Sequence, residues 1–511
     1  MRVRRSLLNF GTSALFMAVT MAVALKATPW LVHWLGAKPY GGFQVLNAAY
    51  GYLTLLELGL GGALAPLMVR AIGAGDDRAL GEAVAAGARA YVRVAVATAV
   101  VGLLLTPVIP WFARDLKGAD VADLQTAWLV GLGSCGTLVL LPLRTAFEAR
   151  QLGYLVNLLM TAQSLLITGT ALVLARAGWG ITGQASAQLV GVWAFSLALA
   201  AGTARLQPGL LRAAAGPVSP GTRRELRGLS APTLLVNLSG RLAVLSDFLV
   251  VGGLRGTAGV TALANTQKLA NIGLGVLQGV GGASWAALAE LHARGDTETF
   301  NRRLVEMTRG LAVLAAAGLV PVVAYNRAFV RLWVGPGFYA GDLVTALAAL
   351  NAVLLAEQSL WAWCFSATGK VRELVAPAAA AAAVNLAASV ALTHRLGLAG
   401  PLVGSTLGFV GVGFWALLWK LRRNFGTPPG ALLRAAGVPC LAGAAAAAGL
   451  GAWVRGHEPA GRWGLVAGMA AAGLAMLAFG VGFLLTPEDR RLWRLRLRAP
   501  APAGRAAGVA P

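Results

Sequence analysis

Six charged side chains lie inside long apolar stretches of this sequence, and they are its candidates for chemistry. Three are basic and three are acidic: Lys26, Arg241 and Lys268, then Glu57, Asp247 and Glu357. A charge at the centre of a bilayer costs about 2.5–3.5 kcal/mol on insertion scales, so such groups usually face a cavity or a partner. The three cations therefore indicate a wet, positively charged cavity that holds a phosphate or another anion. Arg241, near the middle of its stretch, supports this interpretation best.

The other charges have simpler interpretations that the sequence leaves open. Lys26 lies near the end of its apolar stretch, from which its long side chain can reach the membrane surface. Asp247 and Lys268 lie at similar predicted depths on successive stretches, where a local salt bridge is as good an explanation as transport. Glu57 and Glu357 are candidates for binding a coupling ion, or for neutralising a nearby base.

The sequence predicts no catalytic residue and no metal site. Its four histidines have no metal-ligand spacing: His33, His292, His394 and His457. It has no G-x-x-x-x-G-K-[ST] phosphate loop, and no connector is long enough to fold into a transferase or hydrolase domain. We therefore predict a protein that is not an enzyme and needs no cofactor.

The elements that must position these charges are membrane-spanning helices. The 511 residues are 57% hydrophobic and 12% charged, with a mean hydropathy of +0.68. Apolar stretches of about 20 residues recur along the whole chain, and a backbone that faces lipid must be helical to pair its amides. We expect an all-α polytopic membrane protein with about 14 transmembrane helices.

The charge distribution predicts the orientation of these helices. The net charge of +23 comes from 43 Lys and Arg against 20 Asp and Glu. With the N-terminus inside, the inner connectors and tails hold about 30 of the cations and the outer connectors about 10. This bias predicts a multi-pass membrane protein with both termini in the cytoplasm. The cations are explained by topology, so no nucleic-acid partner is expected.

An internal repeat occurs at an offset of 220 residues. The aligned pairs are Gly59–Ala63 with Gly279–Ala283, Gly75–Asp76 with Gly295–Asp296, and Arg89 with Arg309. Because an even number of spans separates the copies, they cross the membrane in the same direction. The repeat predicts two six-helix lobes related by pseudo-two-fold symmetry, with a site between them, plus two C-terminal helices.

These spans group into four predicted segments. Residues 1–204 form the N-terminal lobe, 205–230 a cytoplasmic linker, 231–425 the C-terminal lobe, and 426–511 the last two spans with a basic cytoplasmic tail. The tail alternates arginine with apolar residues over 490–498, which is typical of a segment attracted to anionic lipid.

Several short segments resemble one known family in their order and spacing. They are Leu35-Gly36 with Tyr40-Gly41, Leu56–Gly61, Ser246–Gly252 and Phe329–Gly335. This series is similar to that of bacterial polysaccharide flippases, the Wzx-like transporters of lipid-linked oligosaccharides. That family belongs to the multidrug/oligosaccharidyl-lipid/polysaccharide exporter superfamily, whose members have 12 to 14 helices in two lobes.

The resemblance implies a location in the bacterial inner (cytoplasmic) membrane and a transport function, which a proton or sodium gradient or downhill flow would drive because the sequence has no ATP site. Such a protein flips undecaprenyl-diphosphate-linked oligosaccharide from the cytoplasmic to the periplasmic leaflet, by alternating access, during lipopolysaccharide or exopolysaccharide biosynthesis. Its partners would be that substrate, membrane lipid, and a polysaccharide polymerase with glycosyltransferases. A multidrug or small-molecule exporter of the same superfamily is the alternative, although it would favour an acidic or aromatic cavity. An oligosaccharide polymerase or ligase would need a large periplasmic loop with paired polar residues, which is missing from the sequence.

Overall fold

The computed structural model describes residues 2–53, 60–282, 285–457, 459 and 461–491, with no side-chain account of 2–7, 62–63, 227–244 and 280–287. Every regular element within these ranges is helical. Ten helical segments in them are long and apolar enough to cross a membrane. The predicted all-α, polytopic fold is therefore confirmed. Glu57 lies outside the described residues, and Arg241 is described only as a helical backbone position.

Nineteen α-helices follow one another along the described chain. They are α1 (Arg2–Leu35), α2 (Ala37–Leu53), α3 (Leu60–Gly73), α4 (Asp77–Leu105), α5 (Ala119–Leu132), α6 (Leu141–Ala149), α7 (Gly153–Arg176), α8 (Gly180–Leu206), α9 (Pro208–Ala214), α10 (Pro220–Arg255), α11 (Thr257–Gly282), α12 (Trp285–Ala293), α13 (Thr297–Trp333), α14 (Asp342–Ala367), α15 (Val375–Leu396), α16 (Gly400–Gly408), α17 (Trp415–Phe425), α18 (Pro429–Gly456) and α19 (Gly461–Phe479).

The chain forms two compact units. The first comprises residues 1–268, 330–347 and 370–413, and the second comprises 269–329, 348–369 and 414–511. Within the first unit, the region that the sequence assigns to a linker is largely helical, because α9 and the first turns of α10 occupy it. The lobes predicted at 1–204 and 231–425 stay a prediction.

Two buried clusters hold the first unit together. One packs α3, α4, α6 and α8 around residues such as Met68 and Phe147, and the other packs α2, α5 and α8 around Trp128. Tyr50 stacks on Trp128 with ring centroids 4.8 Å apart, and the Tyr50 hydroxyl donates to the backbone carbonyls of α5. Trp128 is fully buried and its Nε1 donates to Gly102 O at 2.8 Å, while Tyr50 is half-buried. The polar atoms of both rings are therefore satisfied, as stable burial requires.

The second unit is organised on the long helix α13. Ala316 and Val320 of α13 pack against Ala447 of α18 and Met476 of α19. The small side chains let the helices approach closely, which is how membrane helices gain packing energy. An ion pair between Arg309 and Asp489 joins α13 to the segment that follows α19.

The aligned Gly-Asp pairs of the sequence repeat have the same local structure. Gly75 and Gly295 have φ angles of 68° and 72°, in the left-handed region that favours glycine. The carboxylate after each glycine caps the next helix: Asp76 accepts from Ala79 N at 2.8 Å, and Asp296 accepts from Thr299 N at 3.0 Å. The repeat therefore extends to a shared turn and helix cap before α4 and α13.

Acid is expected to remove the cap of α13. Hydrogen bonds from the backbone and side chain of Thr299 lower the pKa of Asp296. Its contribution to stability is therefore full above the carboxyl pKa of the unfolded chain and lost as the pH falls through the lower folded-state pKa. Asp296→Ala should lower the thermal unfolding midpoint by about 1–2 °C at neutral pH. The difference between Asp296→Ala and the parent protein should disappear on acidification. Asp296→Asn, which caps without titrating, should match the parent at neutral pH and be more stable than the parent in acid; a pH-independent difference between Asp296→Ala and the parent would contradict the assignment.

Candidate functional site

The structure places two of the three predicted cavity cations. Lys26 is exposed on α1, next to Leu25, whose carbonyl accepts a hydrogen bond from Trp333 Nε1 at 2.6 Å. Lys268 is half-buried near the middle of α11 and forms no ion pair with the described residues, Asp247 included. The side chain of Arg241 is outside the described part, so a shared cationic cavity stays a prediction.

Asp247 is the predicted site residue with the richest polar surroundings. It lies on α10 within the first unit, and 8% of it is exposed. The hydroxyl of Ser405, on α16, interacts with its carboxylate, and Tyr52 of α2 interacts with both Asp247 and the neighbouring Ser246. Asp247 Oδ1 has no hydrogen-bond partner among the described residues. One carboxylate oxygen is therefore left over for a ligand.

Three uncharged residues extend these surroundings into a network. Asn385 Nδ2 donates to Ser405 Oγ at 3.0 Å, and Ser389 Oγ lies 3.1 Å from Asn385 Oδ1 and 3.2 Å from the carbonyl of Pro401. All three side chains are buried. Asp247, Ser405, Asn385 and Ser389, which we call the Asp247 cluster, thus bring carboxylate, hydroxyl, amide and carbonyl oxygens together in a membrane span. Hard cations and protons prefer oxygen atoms of these kinds.

Glycines make this network possible, because they let α15 and α16 touch. A Cβ atom on Gly404 would lie 2.3 Å from Ser389 Oγ and 2.6 Å from Ser389 N. Gly400 and Gly408, one turn to either side, contact the backbone of α15 in the same way. This Gly-x-x-x-Gly-x-x-x-Gly series opposite Asn385, Ser389 and Thr393 is the sequence signal for the network, which the positions of the charged residues do not reveal.

Glu357 is the most isolated acid in the described chain. It lies on α14 of the second unit, is 2% exposed, and neither carboxylate oxygen has a hydrogen-bond partner in the described ranges. Its electrostatic neighbour is Cys440 of α18. No described base pairs with it, so ion coupling and pairing with a base both stay predictions for this residue.

One end of the first unit is closed by backbone packing. Asp115, between α4 and α5, accepts hydrogen bonds from Thr257 N at 2.6 Å and from Ala258 N at 3.3 Å, and so caps α11. Thr261 Oγ1 donates to the carbonyl of Ala37 at 2.6 Å. A Cβ atom on Gly41 would lie 1.8 Å from Thr257 O. This set of contacts, which we call the α2–α11 closure, lies at the helix ends opposite the N-terminus.

Comparison with known families adds one finding about the sequence. Residues 11–145 match the MatE family. Lys26, Gly41, Tyr52 and Asp115 lie inside the matched residues, whereas Asp247 and its network lie beyond them. No curated protein sequence matches the chain.

The fold of this chain is also found in solved transporter structures. The inward-facing conformation of a multidrug resistance MATE family transporter of the MOP superfamily superposes with a TM-score of 0.61, at 17% identity, over 82% of this chain and 98% of that one. Lipid II flippase MurJ, in an inward closed conformation, gives 0.68 at 12% identity, over 97% of this chain and 100% of that one. An outward-facing MATE structure gives 0.56 at 16% identity, over 83% and 96%.

At such low identity these similarities show the fold alone. The chain is a multi-pass membrane protein whose residues 11–145 match the MatE family, and its fold is similar to those of multidrug transporters and of a lipid flippase. The narrower resemblance to polysaccharide flippases stays a prediction.

Proposed function

We propose that this protein flips undecaprenyl-diphosphate-linked oligosaccharide from the cytoplasmic to the periplasmic leaflet of the bacterial inner membrane by alternating access. Moving a charged group through hydrocarbon costs tens of kcal/mol by a Born estimate, and the sugar hydroxyls add to that cost. A wet cationic cavity removes most of this barrier while the isoprenyl tail stays in lipid. The product would feed a polysaccharide polymerase, after glycosyltransferases have built the substrate.

The half-buried cation Lys268 is the observation that carries this proposal. It lies inside α11 and forms no ion pair within the described part of the chain. A partly buried ammonium in a membrane span calls for an anion, and a diphosphate supplies one. A cavity for cationic drugs would be lined by acidic or aromatic side chains instead, so Lys268 favours the lipid-linked substrate over the multidrug alternative.

The extent of the structural similarity also supports a flippase. The superposition on MurJ covers 97% of this chain, against 82% for the inward-facing multidrug transporter. The predicted architecture has two helices beyond the two six-helix lobes, and α18 and α19 occupy that part of the chain. The longer match is what a flippase with these added helices would give.

The Asp247 cluster is the proposed site of energy coupling. It offers a carboxylate with one free oxygen, together with hydroxyl, amide and carbonyl oxygens on α10, α15 and α16. Binding a proton or a sodium ion there would neutralise the buried charge. Coupling of the flipping step to an ion gradient would then pass through this cluster.

Substitution of the span cations tests the proposed substrate. Arg241→Ala and Lys268→Ala should each lower polysaccharide output at least about tenfold, because a charge-assisted hydrogen bond is worth roughly 1.5–3 kcal/mol. The measurement is polymer output, with accumulated lipid-linked oligosaccharide, in a strain whose chromosomal copy is deleted. Lipid-linked sugar should build up as polymer falls.

A matched control distinguishes the effect of losing a cation inside a span from the effect of losing one at the surface. Arg212→Ala removes an exposed cation from α9 and should leave polymer output unchanged, at equal protein levels. Normal polymer output from both Arg241→Ala and Lys268→Ala would remove these residues from the substrate site. Unchanged polymer together with altered resistance to cationic amphiphiles would favour the multidrug alternative.

A further inference from the structure

A cavity of about 370 Å³ lies in the first unit, where several helices end. Its polar lining is Asp77 at the start of α4, Arg150 just after α6, and Gln207 between α8 and α9. Leu152 and Leu206 are among its apolar lining residues. None of these residues belongs to the Asp247 cluster or to the span cations. The ends of spanning helices lie at the level of lipid head groups, so the cavity faces the membrane–water interface.

Gln207 is the residue that calls for a ligand. It is 7% exposed, and neither its side-chain oxygen nor its side-chain nitrogen has a hydrogen-bond partner among the described residues. The backbone holds the residue in place, since Gln207 N donates to Thr203 O at 2.8 Å and Pro208 follows. Burying an amide with both ends unpaired is unfavourable, so an occupant that accepts and donates hydrogen bonds would complete this cavity.

Arg150 and Asp77 define the charge of that occupant. Arg150 Nη2 lies 2.6 Å from Asp77 Oδ1, and their side chains are 28% and 86% exposed. The guanidinium has five N–H donors and uses one of them here, while the carboxylate keeps its second oxygen. The pair therefore presents donors suited to a phosphate beside an acceptor suited to an ammonium. An occupant with one phosphate and one amine would match both.

We propose that this cavity binds a zwitterionic phosphoamine, supplied by the head group of a phosphatidylethanolamine lipid. The phosphate would lie between Arg150 and the Gln207 side-chain nitrogen, and the primary ammonium between Asp77 and the Gln207 side-chain oxygen, with the acyl chains along Leu152 and Leu206. Basic pockets between spanning helices at the cytoplasmic surface bind lipid head groups elsewhere. This site is separate from the proposed substrate cavity and does not depend on the flippase assignment.

Native mass spectrometry of the full-length protein, released from nanodiscs of defined lipid, tests the proposal. The three lipids are phosphatidylethanolamine, phosphatidylcholine (which has no N–H donor) and phosphatidylglycerol (which has no amine). The protein should retain phosphatidylethanolamine at least about tenfold more than either of the others. Equal retention of the three lipids, or retention of none, would overturn the assignment.

Single substitutions test whether the lipid binds in this cavity. Arg150→Gln should lower the retention of all three lipids, because they share the phosphate. Gln207→Leu should abolish the preference for phosphatidylethanolamine, and Asp77→Asn should make phosphatidylglycerol bind as well as phosphatidylethanolamine. Arg144→Gln, which breaks an ion pair with Glu148 on α6 outside this lining, is the matched control and should keep it. A preference that survives Gln207→Leu would locate the lipid elsewhere.

A soluble head group distinguishes the two sources of this chemistry. Glycerophosphoethanolamine, added to the protein in detergent, should displace the lipid weakly, because it lacks acyl chains to pack on Leu152 and Leu206. Thermal unfolding of each variant without added lipid confirms that it is folded. Displacement by the soluble head group at the concentration at which the lipid binds would show that the ligand comes from solution, and would overturn the lipid assignment.

Discussion

Asp247→Asn is expected to reduce gradient-driven flipping by about a hundredfold while leaving slow downhill exchange in place. The carboxylate is the charged member of a buried cluster whose other members are neutral. An amide of the same shape keeps the packing but cannot bind a proton or balance a cation. The ion and the substrate then lose their thermodynamic link, whose strength sets how far a gradient can drive transport. A loss of about 2.7 kcal/mol of coupling corresponds to that hundredfold change.

The measurement is flipping of a fluorescent lipid-linked sugar in proteoliposomes with an imposed proton gradient, sodium gradient, or neither. The parent protein should respond to one gradient, and Asp247→Asn to none. Asn385→Ala and Ser405→Ala, which remove neutral oxygens or their support, should give intermediate losses. Asp120→Asn, at an exposed position at the start of α5, is the matched control. A normal gradient response from Asp247→Asn would exclude this cluster from coupling.

The sequence was sufficient to predict the helical elements. In lipid, these apolar stretches can form all their backbone hydrogen bonds only as helices. Hydropathy alone therefore predicts the all-α fold. The shared turn at Gly75-Asp76 and Gly295-Asp296 could also be predicted, because it depends only on neighbouring residues. A glycine with positive φ followed by a capping carboxylate needs no tertiary partner, and both turns have that geometry.

The Asp247 cluster shows what local reasoning missed. Asp247 was predicted because a charge in an apolar stretch is conspicuous. Asn385, Ser389 and Ser405 are neutral residues in Ala- and Gly-rich stretches, and nothing local separates them from exposed polar residues. Their role depends on the close approach of α15 to α16, which is fixed by packing between elements. For the same reason the sequence places Gln207 in the predicted cytoplasmic linker, whereas the structure shows that it is buried.

The second large effect is expected at the α2–α11 closure, where Gly41 packs closely because it has no side chain. Gly41→Val would add a Cβ atom 1.8 Å from Thr257 O. That oxygen belongs to the backbone at the start of α11, so it can move only if the helix moves. Overpacking costs about 1–3 kcal/mol when side chains can adjust, and a backbone contact leaves less freedom. The starts of α2 and α11 should therefore separate, shifting the population toward a state that is open at this end.

Labelling of a cysteine at position 257 from the predicted periplasmic side reports the separation. Thr257 is buried, so Thr257→Cys should react slowly with an impermeant maleimide, and adding Gly41→Val should accelerate the reaction at least about tenfold. Asp115→Ala, which removes the acceptor of Thr257 N, should act in the same direction, and flipping should fall in both variants. Gly73→Val, at a glycine with open space around its Cβ position, is the matched control. Unchanged labelling with Gly41→Val would mean that this end is not a gate, because a state that opens must be sensitive to the contact that keeps it shut.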